Sequence, residues 1–239
     1  MVIAFIGLGE VGSTYSSGLA RNGATVKGYD IKFDTEGKEN FVNYQKCLDA
    51  GVQLVDSPKE LIEGSDIIIA VTSCSQAMET AAMYKPFLKK EQLYCEWNST
   101  VPDLVRKVEA FLGDNCTFVD CCTLCSPSMF GVATPCCSCG PAGEQTANEL
   151  NAYGMKIRYM GDSIGQASAF KVIRSIFTKS LEATLVESLA CARYYGVEED
   201  IFKSIVEFLT DEPTDETLAM MVRTNMIHSK RRGDEICAI

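Results

Sequence analysis

The sequence predicts an α/β fold: a doubly wound, mostly parallel sheet over residues 1–162, followed by an all-helical domain over 163–239 with one long central helix. Three observations lead there. Apolar runs alternate between strand-like and helix-like periods through the first two thirds of the chain. A glycine-rich turn follows the first strand directly. After "RYMGDS" the alternation stops, and everything from about residue 164 onward has helical spacing.

The strands are expected at 2–6, 25–29, 52–55, 67–71, 93–97, 117–121 and 156–160, with helices at 11–22, 76–89, 101–112 and 143–153 between them. Right-handed crossovers through those helices give a parallel sheet wound in two directions from its first strand. Ser163 followed by Gln166 is a capping-box pattern, so a long helix should start there and run to about Tyr195, where Gly196 stops it.

The first turn carries the strongest local signal. Gly7, Gly9 and Gly12 form G-x-G-x-x-G between an apolar strand and a helical pattern. The first glycine permits the tight turn, the second lets a pyrophosphate approach the backbone, and the third lets helix and strand pack closely. The phosphates would then sit at a positive helix N-terminus. "ATVKGYD" supplies the second strand and ends in Asp30, placed to accept hydrogen bonds from the adenosine ribose. This is a Rossmann-type dinucleotide site, with Gly7, Leu8, Glu10, Val11 and Asp30 among its expected residues. Asp30 favours NAD, because its charge repels a 2′-phosphate; NADP is the alternative, since Lys32 blunts that repulsion.

Ligands in such sheets bind outside the carboxyl ends of the strands. "VTSCSQ" and "EWNSTVP" are the other loops expected there, bringing Thr72, Ser73 and Asn98 to the cofactor. The competing reading of Thr72, Ser73 and Ser99 is helix capping by short hydroxyl side chains.

Composition excludes several partners. The formal charge is −10 with no long basic block, which argues against nucleic acid and anionic membranes. Apolar stretches are strand-length, far short of the ~20 residues that cross a bilayer. Residues 1–7 have no signal-peptide pattern, so a cytoplasmic location is expected. Six of the twelve cysteines fall in "CCTLCSPSMFGVATPCCSC". Without an export signal they read as reduced thiols. Cys122 and Cys125 have metal-like spacing, but adjacent cysteines on extended backbone point to opposite faces, so no metal is expected.

The long helix carries one apolar row at Phe170, Ile173, Phe177, Leu181, Leu185 and Leu189, and a second at Val172, Ile176, Ala183, Val186 and Ala190. Two rows predict burial on most sides. Between them Lys171, Ser175, Thr178 and Glu182 share one narrow face. Either the stripe is a solvated groove, or Lys171 pairs with Ser175 and Glu182, or the stripe faces the cofactor crevice and Lys171 acts on the substrate.

"GLGEVGS", "SDIIIAVTS", "NSTVP", "FVDCCT" and "GQASAFKVIRS", in this order, make the whole chain resemble the β-hydroxyacid dehydrogenase superfamily, which includes 6-phosphogluconate and 3-hydroxyisobutyrate dehydrogenases. "KVIRSIFTKSLEATLVES" and "IHSKRRGDE" are similar to the branch often labelled phosphogluconate-dehydrogenase-like. The resemblance implies that Lys171 takes the hydroxyl proton as hydride leaves the same carbon of a small β-hydroxy acid. It implies a second catalytic position at Ser175, where the family usually has asparagine. At 178, decarboxylating members carry glutamate; Thr178 has no acid to supply, so the reaction is expected to proceed without loss of carbon dioxide.

"CCTLCSPS" replaces the family's serine–glycine–glycine turn, which holds the substrate carboxylate. Ser99, Thr123, Arg174 and Thr178 are the substrate-binding candidates by this resemblance, with Arg174 either a bidentate clamp or one side of an interhelix salt bridge. His228 and Arg232 join them as anion binders, because C-terminal helices in this family pack across a homodimer. The chain ends earlier than such relatives typically do, so the helical domain is expected to be shortened. Imine reduction on the same scaffold is one alternative. A non-catalytic dinucleotide-binding redox sensor, using an accessible low-pKa thiol within 121–139, is the other.

Overall fold

The computed structural model describes residues 1–237. In chain order the elements are β1 (Val2–Ile6), α1 (Glu10–Arg21), β2 (Thr25–Tyr29), α2 (Lys32–Glu36), α3 (Tyr44–Asp49), β3 (Gln53–Leu54), α4 (Pro58–Ile62), β4 (Ile67–Ala70), α5 (Ala77–Tyr84), β5 (Leu93–Glu96) and α6 (Pro102–Leu112). Then come β6 (Thr117–Thr123), α7 (Pro127–Phe130), β7 (Pro135–Cys139), α8 (Gly143–Asn151), β8 (Lys156–Tyr159), α9 (Gln166–Tyr195), α10 (Glu198–Thr210) and α11 (Thr214–Cys237).

The strands form one eight-stranded sheet in the order β3-β2-β1-β4-β5-β6-β7-β8. Pairing from β3 through β6 is parallel. β7 runs antiparallel to β6 and parallel to β8, so the last two strands are reversed. The expected fold class is therefore present, with a strand, β7, that the sequence reading lacked. The central strands explain the core: Ile67, Ile68 and Ile69 are all fully buried, as a strand covered on both faces requires. The order reverses at β1, whose neighbours are β2 and β4, which opens a crevice outside the carboxyl ends of β1 and β4.

The chain divides into two compact units, Met1–Ser175 and a second that begins at Ile176. The first holds the sheet and the opening turns of α9. The second holds the rest of α9, which Gly196 ends with a φ of +72°, and the pair α10 and α11. Three acidic residues, Glu198, Glu199 and Asp200, occupy the first turn of α10, where the helix dipole favours them. α11 is kinked at His228, whose φ is −116°.

Two expectations about α9 need correction. Its start is not capped by the Ser163 side chain; Ser163 contributes its carbonyl to the Gln166 amide, and a carboxylate from the sheet, Asp120, takes the amides of Gly165 and Ser168. Nor are its apolar rows buried: Ile173 and Ile176 are about two-thirds exposed, and Phe177, Leu181 and Val186 are exposed as well. Among the described residues, no helix is long and apolar enough to cross a membrane.

Candidate active site

The turn after β1 begins at Gly7, whose φ of +89° few other residues tolerate. It leads into α1 through Leu8 and Gly9. At the switch point lies a cavity of about 400 Å³ lined by Gly7, Gly9, Glu10, Val11, Gly12 and Asp30, and across from them by Thr72 and Ser73. Eight of the ten predicted cofactor residues thus meet at one crevice. Leu8 and Asn98 stand behind it instead. Leu8 is fully buried and donates its amide to Asp30 Oδ2 at 2.8 Å, while the buried Asn98 accepts the Thr72 amide at Oδ1. These bonds fix the acid and the second loop from outside the cavity.

The residues present fit a dinucleotide. A Cβ built on Gly12 would lie 2.1 Å from the Gly7 carbonyl oxygen, so only glycine lets α1 start this close to the turn. A Cβ on Gly9 would meet nothing within 4 Å, so its backbone faces open space at the helix N-terminus. The second carboxylate oxygen of Asp30 accepts the Lys32 amide at 3.1 Å, which holds the carboxylate at the rim. Capping does not account for the hydroxyls: Thr72 pairs with Thr80 at 3.2 Å, and Ser73 with Gln76 and Ser75. The sequence reading missed the far wall, made by Gln76, Thr80, Met83 and Tyr84. Their spacing of four, three and one on a predicted helix after the Thr72 loop was the available signal.

A second group of predicted residues gathers where α9 begins. The ammonium of the half-buried Lys171 donates to the hydroxyl of Ser99, just beyond the end of β5. Arg174, one turn along, donates to the carbonyl of Leu124 in the loop after β6. Ser175 is half-buried four residues beyond Lys171, hence on its face. Thr123 is different: its hydroxyl lies in the core, 3.0 Å from both the Trp97 indole nitrogen and the Tyr15 hydroxyl. The remaining candidates belong to the second unit. Thr178 is half-buried on α9, His228 is exposed at the kink of α11, and Arg232 donates to Thr224 at 2.8 Å.

Beneath the first turn of α9 the sheet presents two carboxyls in register, Glu96 on β5 and Asp120 on β6. Both are fully buried. Burial pushes Glu96 up to about 8, against a weaker opposing effect from hydrogen bonds with Asn98. The cysteines divide by strand alternation. Cys121 and Cys136 join the main core, whereas Cys122, Cys137 and Cys139 form a small cluster with Ala167 of α9. Burial pushes the thiols of Cys136 and Cys139 up to about 11 and about 12, and Cys137 alone is lowered, by its hydrogen bond with Cys122. The accessible thiol that a redox sensor needs is absent from these five buried residues; Cys125 is half-buried. Among the described residues no group of three His, Cys, Asp or Glu is arranged to hold a metal ion.

Comparison with known proteins agrees with the crevice. An uncharacterized 28.5 kDa protein of Methanothermus fervidus is 29% identical over 241 residues, covering 100% of this chain and 89% of that one. A solved conserved protein of unknown function, described as structurally similar to 3-hydroxyacid dehydrogenases, matches at 25% identity and TM-score 0.71 over 98% of this chain and 86% of its own. An imine reductase from Myxococcus stipitatus, solved with NAD+, shares the fold at 18% identity and TM-score 0.76, over 96% of this chain and 77% of its own. The NAD binding domain of 6-phosphogluconate dehydrogenase matches residues 2–123, about half of the chain and the part that builds the crevice. The chain therefore belongs to the family defined by the NAD-binding domain of 6-phosphogluconate dehydrogenase.

Proposed function

We propose that this protein is an NAD-dependent oxidoreductase that interconverts a small β-hydroxy acid and its carbonyl form without decarboxylation. The observation that carries the reading is the contact between the Lys171 ammonium and the Ser99 hydroxyl, at the same carboxyl-terminal edge of the sheet as the dinucleotide crevice. The bound nicotinamide supplies or accepts the hydride. In the reducing direction Lys171 donates a proton to the oxygen as the carbonyl carbon gains hydride; in the oxidising direction the neutral amine takes it back. Ser99 holds the amine in place, and Ser175 can donate to the same substrate oxygen. Arg174, sitting on the Leu124 carbonyl, brings a guanidinium to the loop that would face a carboxylate, which supports an acid over a neutral imine. Thr178 offers no acid, in keeping with retention of the carboxylate. A homodimer through the C-terminal helices is part of this proposal, supported by the exposed apolar rows of α9.

The test is NADH and NADPH oxidation against 3-oxo acids, short semialdehydes and cyclic imines, with wild type and Lys171→Ala side by side. The expected result is turnover of an acid or semialdehyde with NADH preferred, lowered ~10²–10⁴-fold in the variant while NADH binding holds. Turnover of cyclic imines alone would replace the substrate class with imine reduction. Tight NADH binding without turnover would leave a non-catalytic dinucleotide-binding protein.

A further inference from the structure

The buried carboxylate of Asp120 has no part in the chemistry above, yet its surroundings are unusually complete. It accepts the Ser168 hydroxyl at 2.6 Å and the amides of Ser168 and Gly165 at 3.1 Å each, and lies 3.1 Å from the Cys139 thiol. Two of these donors are amides at the start of α9, which otherwise find no helical acceptor. No acidic residue of α9 itself occupies the first turn. The sheet thus supplies, through β6, the negative group that the helix N-terminus favours. We infer that Asp120 is a positioning residue: it fixes the rotation of α9 about its axis and so sets Lys171 against Ser99.

Ser168 and Lys171 are three residues apart and lie on one face, about 4.5 Å along the axis from each other. Asp120 grips Ser168 by both its amide and its hydroxyl, which restrains translation and rotation together. A rotation of about 10° would carry an atom ~6 Å from the axis by about 1 Å. Misplacement of that size can cost ~10²-fold in rate. Ala167, between the two carboxylate contacts, packs on Cys122, Cys137 and Cys139, so the same turn is also held by small side chains that let it sit low on the sheet. The neighbouring Glu96 lies in register beside it on β5, and burial pushes its carboxyl well above the usual carboxylate range.

The inference rests on the catalytic reading of Lys171, but its test does not require turnover. Lysines would be reductively methylated with 13C-formaldehyde, and the Lys171 resonance identified by its loss in Lys171→Ala. Asp120→Asn and Ser168→Ala should move that resonance toward its position in Ser99→Ala, with NADH affinity within ~2-fold of wild type. Ser168→Thr, which keeps the hydroxyl, should restore it. With a substrate in hand, kcat should fall ~10–100-fold in Asp120→Asn at unchanged KM, with a displaced pH profile. A Lys171 resonance that stays put in folded Ser168→Ala and Asp120→Asn overturns the inference. Should Asp120→Asn fail to fold, the Ser168 pair decides alone. Absence of turnover in wild type would count against the proposed function and leave the resonance result standing.

Discussion

Burial holds the Glu96 carboxyl well above the usual carboxylate range. It is fully buried at the end of β5, its Oε1 accepts the Asn98 amide at 3.2 Å, and its Oε2 has no partner. The sign of its effect on stability follows from where its proton is held. In the unfolded chain it titrates near the ordinary carboxylate value of 4.5, whereas in the folded protein burial pushes it up to about 8. Between those two values the folded state binds more protons than the unfolded one, so the contribution of Glu96 to stability is present at low pH and declines as pH rises toward 8. Glu96→Gln removes the titration. The melting temperature of the variant relative to wild type should therefore rise from pH 5 to pH 8, by several °C for a chain of this size. Parallel melts across that range check it, and a constant offset would show that Glu96 does not titrate there. Sequence alone hides this burial: Glu96 falls near the end of the strand expected at 93–97, and only the pairing of β5 with β6 shows that its carboxyl is covered.

At the scale of elements, the turn between β1 and α1 separates packing from binding. Gly12→Ala puts a methyl group 2.1 Å from the Gly7 carbonyl oxygen, so α1 must shift and both stability and NADH affinity should fall, the former by ~1–3 kcal/mol. Gly9→Ala meets nothing within 4 Å, so melting should be nearly unchanged while NADH affinity drops at least ~10-fold, since the methyl stands where phosphates approach the backbone. Thermal melts beside NADH fluorescence titrations distinguish the two; equal losses in both variants would contradict this division. This unit was legible in the sequence because strand, turn, helix and Asp30 lie within thirty residues and each signal is local. β7 was not. "PCCSC" has no β-branched residue, and its cysteine spacing suggests thiol chemistry, whereas Cys136, Cys137 and Cys139 serve as small side chains facing into two cores. The short helices α2, α3 and α4 escape for a different reason: five or six residues span fewer than two helical turns, too few for a 3.6-residue spacing to repeat.

The whole molecule leaves unpaid one debt that its own sequence predicts. Helical periodicity called for α9 to be covered on most sides, and within the chain Ile176 and Val186 remain 66% and 70% exposed, with Phe177 and Leu181 near half. Phe177 and Leu181 follow each other at one helical turn, and Ile176 and Val186 extend a second row beside them. Fully covering a side chain of this size contributes ~1.5–3 kcal/mol, so two copies of such a helix meeting through these rows gain from every residue twice. Periodicity reports that a face suits burial but not which chain covers it; under the proposed homodimer the second copy supplies the cover that one chain lacks. Under the homodimer proposed above, sedimentation equilibrium should give a particle of twice the 26.1 kDa chain mass. Val186→Glu combined with Phe177→Glu should shift it toward the monomer, because two buried like charges per chain would face their symmetry mates without partners. NADH affinity of the monomer should remain close to wild type, since the crevice is built within residues 1–175. A monomeric wild type at micromolar concentration would refute the dimer and leave the exposed rows of α9 to a different partner.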